Sequence, residues 1–221
     1  MEHIELLEMC DRSLLTRLFS TPSSCSYEAV FLETGCLPIR FIIQGRRLMY
    51  YWTLLNKSDD ELVKKFFDVQ KQFSDSDDWI RQVEDDKKSL GIDLSEDAIR
   101  LMKKDKFEKM VKEKLYEKAR EFLFKIKEGH SKTKNLSTFT LQEYLKCEKM
   151  STNDKKLLFS LRTRSYDVKT NYKNKYKFNM QCRYCEVESK EESEVHLMNC
   201  SMIVDKIDPI DPDACYEDKH I

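Results

Sequence analysis

The amino-acid sequence predicts an all-α protein, and three observations lead to this fold class. Glycine and proline number four each among 221 residues, which is too few for the many tight turns of β-sandwiches and barrels. Apolar residues recur at helical spacing along most of the chain, and residues typical of helix caps stand at the ends of several such stretches. Charged residues make up 36% of the chain, so we expect much of the helical surface to be solvated.

The first two predicted helices are separated by a polar break. Residues 3–19 carry leucines and an isoleucine near helical spacing, and the sequence STPSSCS at 20–26 interrupts the pattern. Residues 37–56 then form a long apolar run that contains three arginines. Pro38 suits the first turn of this helix, where a missing N–H costs nothing.

Cap residues define the next three predicted helices. Ser58 and Glu61 form a capping box in front of a helix that continues through DELVKKFFDVQKQF. Residues 75–91 begin with acidic residues and stop at Gly91, as the helix dipole and the C-cap preference favour. A short helix is predicted to follow from Ser95.

The clearest periodicity covers residues 104–128. One face is apolar, the opposite face is rich in lysine, and Gly129 ends the pattern. The apolar face consists of Phe107, Met110, Val111, Leu115, Ala119, Phe122, Leu123 and Ile126. A polar linker at 130–138 leads to a shorter predicted helix over 139–149, and Ser151 with Asp154 caps a further one.

Composition predicts four regions. These are a helical domain at 1–150, a basic aromatic connector at 151–180, a small knuckle at 181–201 and a disordered tail at 202–221. The tail is acidic and contains two prolines. Charge follows a related division, because residues 100–185 contain 24 basic and 10 acidic residues, a net +14, whereas both flanks are acidic. Such a block attracts polyanions, of which nucleic acid is the usual one.

Cysteine usage predicts an intracellular chain. No N-terminal secretory signal is visible, and no apolar run reaches the roughly 18 residues of a membrane span. In the cytoplasm or nucleus thiols stay reduced, so clustered cysteines indicate metal rather than disulfides. Five of the eight cysteines are scattered, and we interpret them as buried apolar residues or unreactive thiols: Cys10, Cys25, Cys36, Cys147 and Cys215.

The remaining cysteines form the pattern C-x2-C-x10-H-x3-C, from Cys182 and Cys185 to His196 and Cys200. The first pair lies on one tight turn and the second pair on one helical face. Four nitrogen and sulfur ligands complete a zinc tetrahedron and leave no position for water, which predicts a structural rather than a catalytic Zn²⁺. A redox role for the C-x-x-C pair would need a βαβ context, and none is predicted.

Basic and aromatic residues alternate over 155–183, ahead of the knuckle. Cations neutralise phosphates and aromatic rings stack on bases, although a solvated lysine surface with aromatics turned inward gives the same pattern. Arg40, Arg46 and Arg47 stand in an apolar helix and need partners, which are either phosphates or acids of neighbouring helices. The sequence has no glycine-rich phosphate loop, no G-x-S-x-G and no H-E-x-x-H.

Three stretches together resemble a known family: FLETGCLPIRFIIQGRRLMYYWTLL (31–55), LRTRSYDVKTNYKNKYKFNMQCRYC (161–185) and EVHLMNC (194–200). They are similar to the region downstream of the reverse-transcriptase domain in non-LTR (LINE-type, Dong-like) retrotransposon polyproteins, over residues 28–200. The resemblance implies that the helical block is a thumb-like bundle and linker along a template–primer duplex, and that the Cys-Cys-His-Cys ligands help to hold RNA or target DNA.

The basic aromatic segment and the resemblance together predict a nucleic-acid-binding set, and departures from the family pattern predict no catalysis in this chain. The set comprises Arg40, Arg46, Arg47, Arg162, Arg164, Lys169, Lys173, Lys175, Lys177 and Arg183. The polymerase signature, an aromatic residue followed by x-Asp-Asp, is absent, and only eight residues follow Pro212-Asp213, too few for the family's endonuclease. We therefore expect no enzymatic activity and a nuclear or cytoplasmic ribonucleoprotein with RNA or DNA as partner. The alternative is a helical protein-interaction module with a structural zinc.

Overall fold

The computed structural model describes residues 2–19, 21, 25–73, 78–128, 133, 136–165, 168–172, 179–185, 191–193, 196, 197 and 200. Over these residues the chain is mostly helical, with nine α-helices and no strand, which confirms the predicted all-α class. The helices are α1 (Glu2–Leu18), α2 (Tyr27–Thr34), α3 (Ile39–Leu55), α4 (Leu62–Gln72), α5 (Trp79–Ser89), α6 (Glu96–Leu101), α7 (Lys104–Glu128), α8 (Glu143–Lys146) and α9 (Thr152–Arg162).

The part of the chain that the structure describes contains no helix with the length and apolar character needed to cross a membrane. The predicted tail at 202–221 lies outside the described residues, so its disorder stays a prediction. The same is true of Cys215.

The chain forms two compact units. The first comprises Met1–Met9 and Leu37–Phe124, and the second comprises Cys10–Cys36 and Lys125–Ile221. This division follows packing, whereas the predicted regions follow changes in composition along the chain. The four predicted regions therefore stay a prediction.

Helix α3 is the centre of the first unit and packs against α4, α5 and α6. Its buried side chains are Phe41, Leu48, Tyr51, Leu54 and Leu55. Gly45 permits close approach to α7, since a Cβ atom there would lie 2.7 Å from Cδ1 of Leu115. Five members of the predicted apolar face of α7 are buried: Phe107, Val111, Leu115, Ala119 and Leu123.

The two predicted helix caps of the first unit differ in outcome. Ser95 begins α6, as predicted, because its side chain accepts a hydrogen bond from the Ala98 N–H at 3.2 Å. The predicted capping box at Ser58 forms only in part. The Ser58 N–H donates to Glu61 at 3.2 Å, but the Ser58 hydroxyl turns to Asp60, so α4 begins only at Leu62.

Helix α2 of the second unit has no counterpart among the predicted helices. The Ser26 side chain accepts from the Ala29 N–H at its start, and Gly35 ends it with a φ of 65°. From Ala29 to Thr34 every side chain is buried. Because the helix is buried on all sides, it lacks the one-sided apolar periodicity that identifies surface helices.

Thr34 and Leu141 form an isolated antiparallel bridge, and this contact corrects the helix predicted over 139–149. The Gln142 N–H donates to the Glu33 carbonyl oxygen at 3.1 Å, which holds this part of the chain extended. Only Glu143–Lys146 remain helical. A glycine is required at position 35, because a Cβ atom there would lie 2.8 Å from the Leu141 backbone nitrogen.

The carboxylate of Glu33, which is 1% exposed, joins three segments of the second unit. It accepts two hydrogen bonds from the Arg162 guanidinium, at 2.8 and 3.0 Å, and one from the Tyr144 hydroxyl at 2.9 Å. Burial and the Glu33 charge together raise the pKa of Tyr144 above its ordinary value. A buried carboxylate is tolerated only when it is paired and hydrogen-bonded, so α2, α8 and α9 depend on this contact.

The first prediction concerns this ion pair. Arg162→Ala leaves the buried Glu33 carboxylate without its cation, and we expect unfolding free energy to fall by about 2–3 kcal/mol, below the full cost of a buried pair because Arg162 is partly exposed. Urea denaturation followed by circular dichroism measures the change. Lys146→Ala is the control, since it removes the exposed Lys146–Glu143 pair and should cost less than about 0.5 kcal/mol. Equal losses in both variants would contradict the assignment.

Candidate metal centre

Short elements position the cysteine segment of the second unit. A 3₁₀ helix at Lys169–Tyr172 precedes it, and an antiparallel bridge joins Gln181 to Glu191. Cys182 follows this bridge directly, and residues 183–185 form a turn that brings Cys185 back towards it. On the other side, the Ser193 hydroxyl accepts from the His196 N–H at 3.1 Å and fixes the start of the turn that carries the histidine.

Cys182, Cys185, His196 and Cys200 converge, and their ligand atoms all lie within 4.8 Å of one another. The Cys185 Sγ and His196 Nε2 atoms are 3.3 Å apart. Bonds of about 2.0–2.3 Å to a central ion give tetrahedral edges of roughly 3.3–3.8 Å. The four residues are therefore close enough to hold one metal ion after a contraction of about 1 Å in their longest separation.

The cluster has a buried and an accessible side. Cys182 and Cys200 are each 1% exposed and pack with Val168 and Leu197 in a small apolar core. Cys185 and His196 are half-buried. Apolar surroundings on one side limit water access to a metal site and lower the local dielectric, while the accessible side lets an ion enter.

Glu192 holds the turn between the first two cysteines. Its carboxylate is fully buried and accepts from the Arg183 backbone N–H at 2.9 Å. It also accepts from the Arg183 guanidinium, through Nε at 2.8 Å and Nη2 at 2.6 Å. Burial opposes ionisation of Glu192, but the hydrogen bonds and charge of Arg183 outweigh it and hold the carboxyl pKa below its usual value.

Backbone bonds tie Glu192 to the rest of the knuckle. Its N–H donates to the Met180 carbonyl at 2.8 Å, and its own carbonyl accepts from the Thr170 N–H at 3.1 Å. Glu192 thus connects the strand-like pair, the 3₁₀ helix and the cysteine turn. The sequence pattern did not identify this residue, because its partners are set by the fold rather than by spacing.

Lys169, one of the predicted nucleic-acid-binding residues, also has an internal role. It is 9% exposed, and its ammonium donates to the Gln181 carbonyl at 2.7 Å and to the Asn179 side chain at 3.1 Å. Arg183 is held by Glu192 in the same segment. Both cations therefore stabilise the knuckle.

Two of the three α3 arginines contact acids of the first unit. Arg40 pairs with Glu8, through Nη2 at 2.8 Å, and its guanidinium lies 4.7 Å from the centre of the Phe122 ring. Arg47 pairs with Asp86 at 2.7 Å. Burial raises the pKa of Asp86 in spite of the arginine charge beside it. The sequence left phosphates or acids of neighbouring helices as possible partners for these arginines. The structure places such an acid beside Arg40 and beside Arg47.

The other predicted nucleic-acid-binding residues differ in their surroundings. Arg46 is exposed. Arg164 is half-buried and has a φ of 50°, in the left-handed region. Lys173, Lys175 and Lys177 lie outside the described residues, so their role stays a prediction. Arg162, as described above, is bound by Glu33.

Helix α7 presents a set of lysines that the predicted binding set leaves out. Its exposed residues include Lys104, Lys106, Lys109, Lys112 and Lys125. The sequence already showed the lysine-rich face of this helix, but no residue of this face was included in the predicted nucleic-acid-binding set. It lies within the +14 block, and its exposed lysines form an accessible cationic surface.

The remaining cysteines of the described residues form no disulfide. Cys25 is buried, Cys147 is half-buried, and Cys10 and Cys36 are exposed. The sequence predicted these cysteines to be buried apolar residues or unreactive thiols, and the buried Cys25 fits that prediction best.

No protein-family model matches this sequence, and comparisons with curated proteins and with solved structures give no match. The resemblance to the retrotransposon family therefore stays a prediction, and the site is interpreted through its chemistry.

The second prediction concerns Glu192. Glu192→Gln removes the charge that holds Arg183, so the turn between Cys182 and Cys185 should loosen and metal affinity of the full chain should fall roughly 10-fold. Competition with a chromophoric chelator measures the affinity for Zn²⁺. The exposed neighbour provides the control, since Glu191→Gln should leave affinity unchanged. Equal affinities of the two variants would show that Glu192 does not position the site.

Proposed function

We propose that this chain is a non-catalytic nucleic-acid-binding protein whose C-terminal segment is folded around a structural Zn²⁺ ion. The observation that carries the proposal is the convergence of three cysteine sulfurs and one histidine nitrogen within 4.8 Å of one another. This convergence lies in the same unit as the basic segment that leads to it in sequence.

The chemistry of the ligands favours zinc. Thiolate and imidazole ligands suit Zn²⁺, whereas Mg²⁺ and Ca²⁺ take oxygen ligands and common iron–sulfur clusters take four cysteines. Three sulfurs and one nitrogen complete a tetrahedron and leave no position for a reactive water. A structural role follows for the ion.

The small core of the knuckle supports the same role. Its buried apolar residues are Val168, Cys182, Leu197 and Cys200, with Cys185 packed against them. So small a core contributes little to folding, and metal binding supplies folding free energy when the site does not exist in the unfolded chain. Zinc would then further stabilise the knuckle, which hydrogen bonds of Glu192 and Lys169 already hold together.

The charge distribution supports nucleic acid as the partner. Residues 100–185 carry a net +14, and α7 exposes lysines along its length. Phosphate contacts of this kind are independent of base sequence and release counterions. RNA or DNA duplex, as expected from the resemblance to non-LTR retrotransposon polyproteins, is the partner class that we propose.

The internal ion pairs favour a second candidate function. Arg40, Arg47, Arg162 and Arg183 bind carboxylates of their own unit, so four of the predicted phosphate ligands have structural partners. A protein-interaction module with the same structural zinc accounts for these pairs without any phosphate. Nucleic-acid affinity distinguishes the two candidates.

The third prediction tests the proposed function. Fluorescence anisotropy with labelled RNA and DNA duplexes should show binding that weakens by about 10³-fold or more between 50 and 200 mM salt, if six or more phosphates are contacted. The triple variant Lys106→Glu, Lys109→Glu and Lys112→Glu should weaken binding and lower the slope of log K against log salt by about three.

A matched control changes net charge by the same amount away from α7. Lys65→Glu, Arg81→Glu and Lys88→Glu lie on exposed positions of α4 and α5. This variant should retain a salt slope near that of the parent chain. Absence of binding at 50 mM salt would favour the protein-interaction module, and equal losses in both variants would contradict a binding surface on α7.

A further inference from the structure

Helix α4 turns its most apolar stripe towards solvent. Phe66 is 66% exposed and Phe73, just beyond the last turn, is 75% exposed. Leu62 and Val69 complete the stripe, and Val63 flanks it. Positions 62, 66, 69 and 73 are three or four residues apart, so they lie on one side of the helix. Such a run of large apolar side chains is unusual for an exposed surface and indicates an interaction site.

Contacts on the opposite side fix this orientation. Phe67 is buried against Tyr51 and Trp79, with ring centres 5.9 and 6.1 Å apart. Lys64 is buried and pairs with Asp68 at 2.9 Å. Lys71 reaches Glu96 on α6. Rotating the helix to bury its outer stripe would break the contacts of Phe67 and Lys71 with other helices and would expose Phe67, so the stripe stays outside.

The spacing of the stripe is symmetric. Steps of four, three and four residues separate Leu62, Phe66, Val69 and Phe73, so the pattern is the same in either direction along the helix. A two-fold axis at its midpoint would set Leu62 against the Phe73 position of a second helix, and Phe66 against the Val69 position. Two-fold interfaces require such self-complementarity, because both copies present the same surface.

Charge is compatible with this arrangement. In the antiparallel register the exposed Lys65 lies on the same flank of the stripe as Gln72 of the other helix. The two copies of Lys65 are about 7.5 Å apart along the helix axis, so no like charges lie directly opposite each other beside the stripe. The antiparallel direction also places the positive end of one helix dipole beside the negative end of the other.

The available area suits a weak dimer. A covered aromatic side chain contributes roughly 150–250 Å², so the stripe offers on the order of 500 Å² per copy. Two copies would bury about 1,000 Å², near the lower limit for specific protein–protein interfaces. An interface of this size is typical of weak or transient association, so the test covers a wide range of protein concentrations.

We propose that a second copy of this chain covers this surface, as an antiparallel α4–α4 pair centred between Phe67 and Asp68. The proposal is independent of the zinc site and of nucleic-acid binding. It assigns the outward stripe of α4, defined by Leu62, Phe66, Val69 and Phe73, as a self-association surface.

Sedimentation velocity of the full chain over a concentration series from about 1 to about 500 µM tests the proposal. The parent chain should shift from monomer to dimer, and Phe66→Glu and Val69→Lys should each stay monomeric while retaining the parent far-ultraviolet spectrum. Leu101→Glu is the matched control, because Leu101 is 86% exposed on α6, and it should dimerise like the parent. A parent chain that is monomeric throughout would overturn the proposal.

Mixing the two α4 variants tests the register. In the antiparallel pair Glu at position 66 of one copy faces Lys at position 69 of the other, so an equimolar mixture should form a heterodimer that neither variant forms alone. A mixture that stays monomeric would overturn the antiparallel register. A dimer that survives Phe66→Glu, or that Leu101→Glu abolishes equally, would overturn the assignment of the interface to α4.

Discussion

The cysteine segment depends on keeping three sulfur atoms and one imidazole nitrogen together. Its apolar core consists of a few residues around Val168 and Leu197, and two of the buried members are themselves the ligands Cys182 and Cys200. The four ligand atoms are within 4.8 Å of one another. Three sulfurs in this space gain little from packing by themselves, whereas the proposed zinc ion would convert their closeness into folding free energy.

Buried carboxylates provide the second constraint, and each one is matched to an arginine. Glu33 holds Arg162, Asp86 holds Arg47, and Glu192 holds Arg183. A planar guanidinium can form two hydrogen bonds to one carboxylate, as Arg162 does to Glu33, which makes arginine the usual partner for a buried acid. Four of the eleven arginines, Arg40, Arg47, Arg162 and Arg183, therefore pair with carboxylates inside their own unit, and lysines supply most of the accessible positive charge of the described residues.

The difference between paired and exposed cations changes the interpretation of the basic block at 100–185. Composition treats all cations alike, but the structure separates Lys169 and Arg183, which bind inside the knuckle, from the exposed lysines of α7. Exposed lysine ammonium groups attract phosphate without fixed geometry. The affinity of a nucleic-acid contact made by such lysines would depend strongly on salt concentration and little on base sequence.

Local chemistry made part of this structure predictable. The helix predicted over 104–128 is observed as Lys104–Glu128, because its apolar residues repeat every three or four positions. Ser151 caps α9 as predicted, accepting from the Asp154 N–H. The four residues that could hold a metal ion were identified from their spacing alone, and the structure brings them together as that spacing predicts.

Long-range contacts account for what the sequence did not predict. Helix α2 is buried on all sides and shows no one-sided pattern, and α8 is short because Leu141 pairs with Thr34. Arg162 and Glu33 are 129 positions apart, so no local pattern identifies them as partners. Glu192 acquires its role only when the turn at Arg183 is folded against it.

Zinc K-edge X-ray absorption of the purified full chain tests the central claim most directly. The proposed site predicts one zinc per chain, with three sulfur ligands at about 2.3 Å, one nitrogen at about 2.0 Å and no oxygen ligand. Cys185→Ser should replace one sulfur with a lighter atom in the same spectrum. A parent chain that binds no zinc, or whose zinc is coordinated mainly by oxygen, would contradict the account.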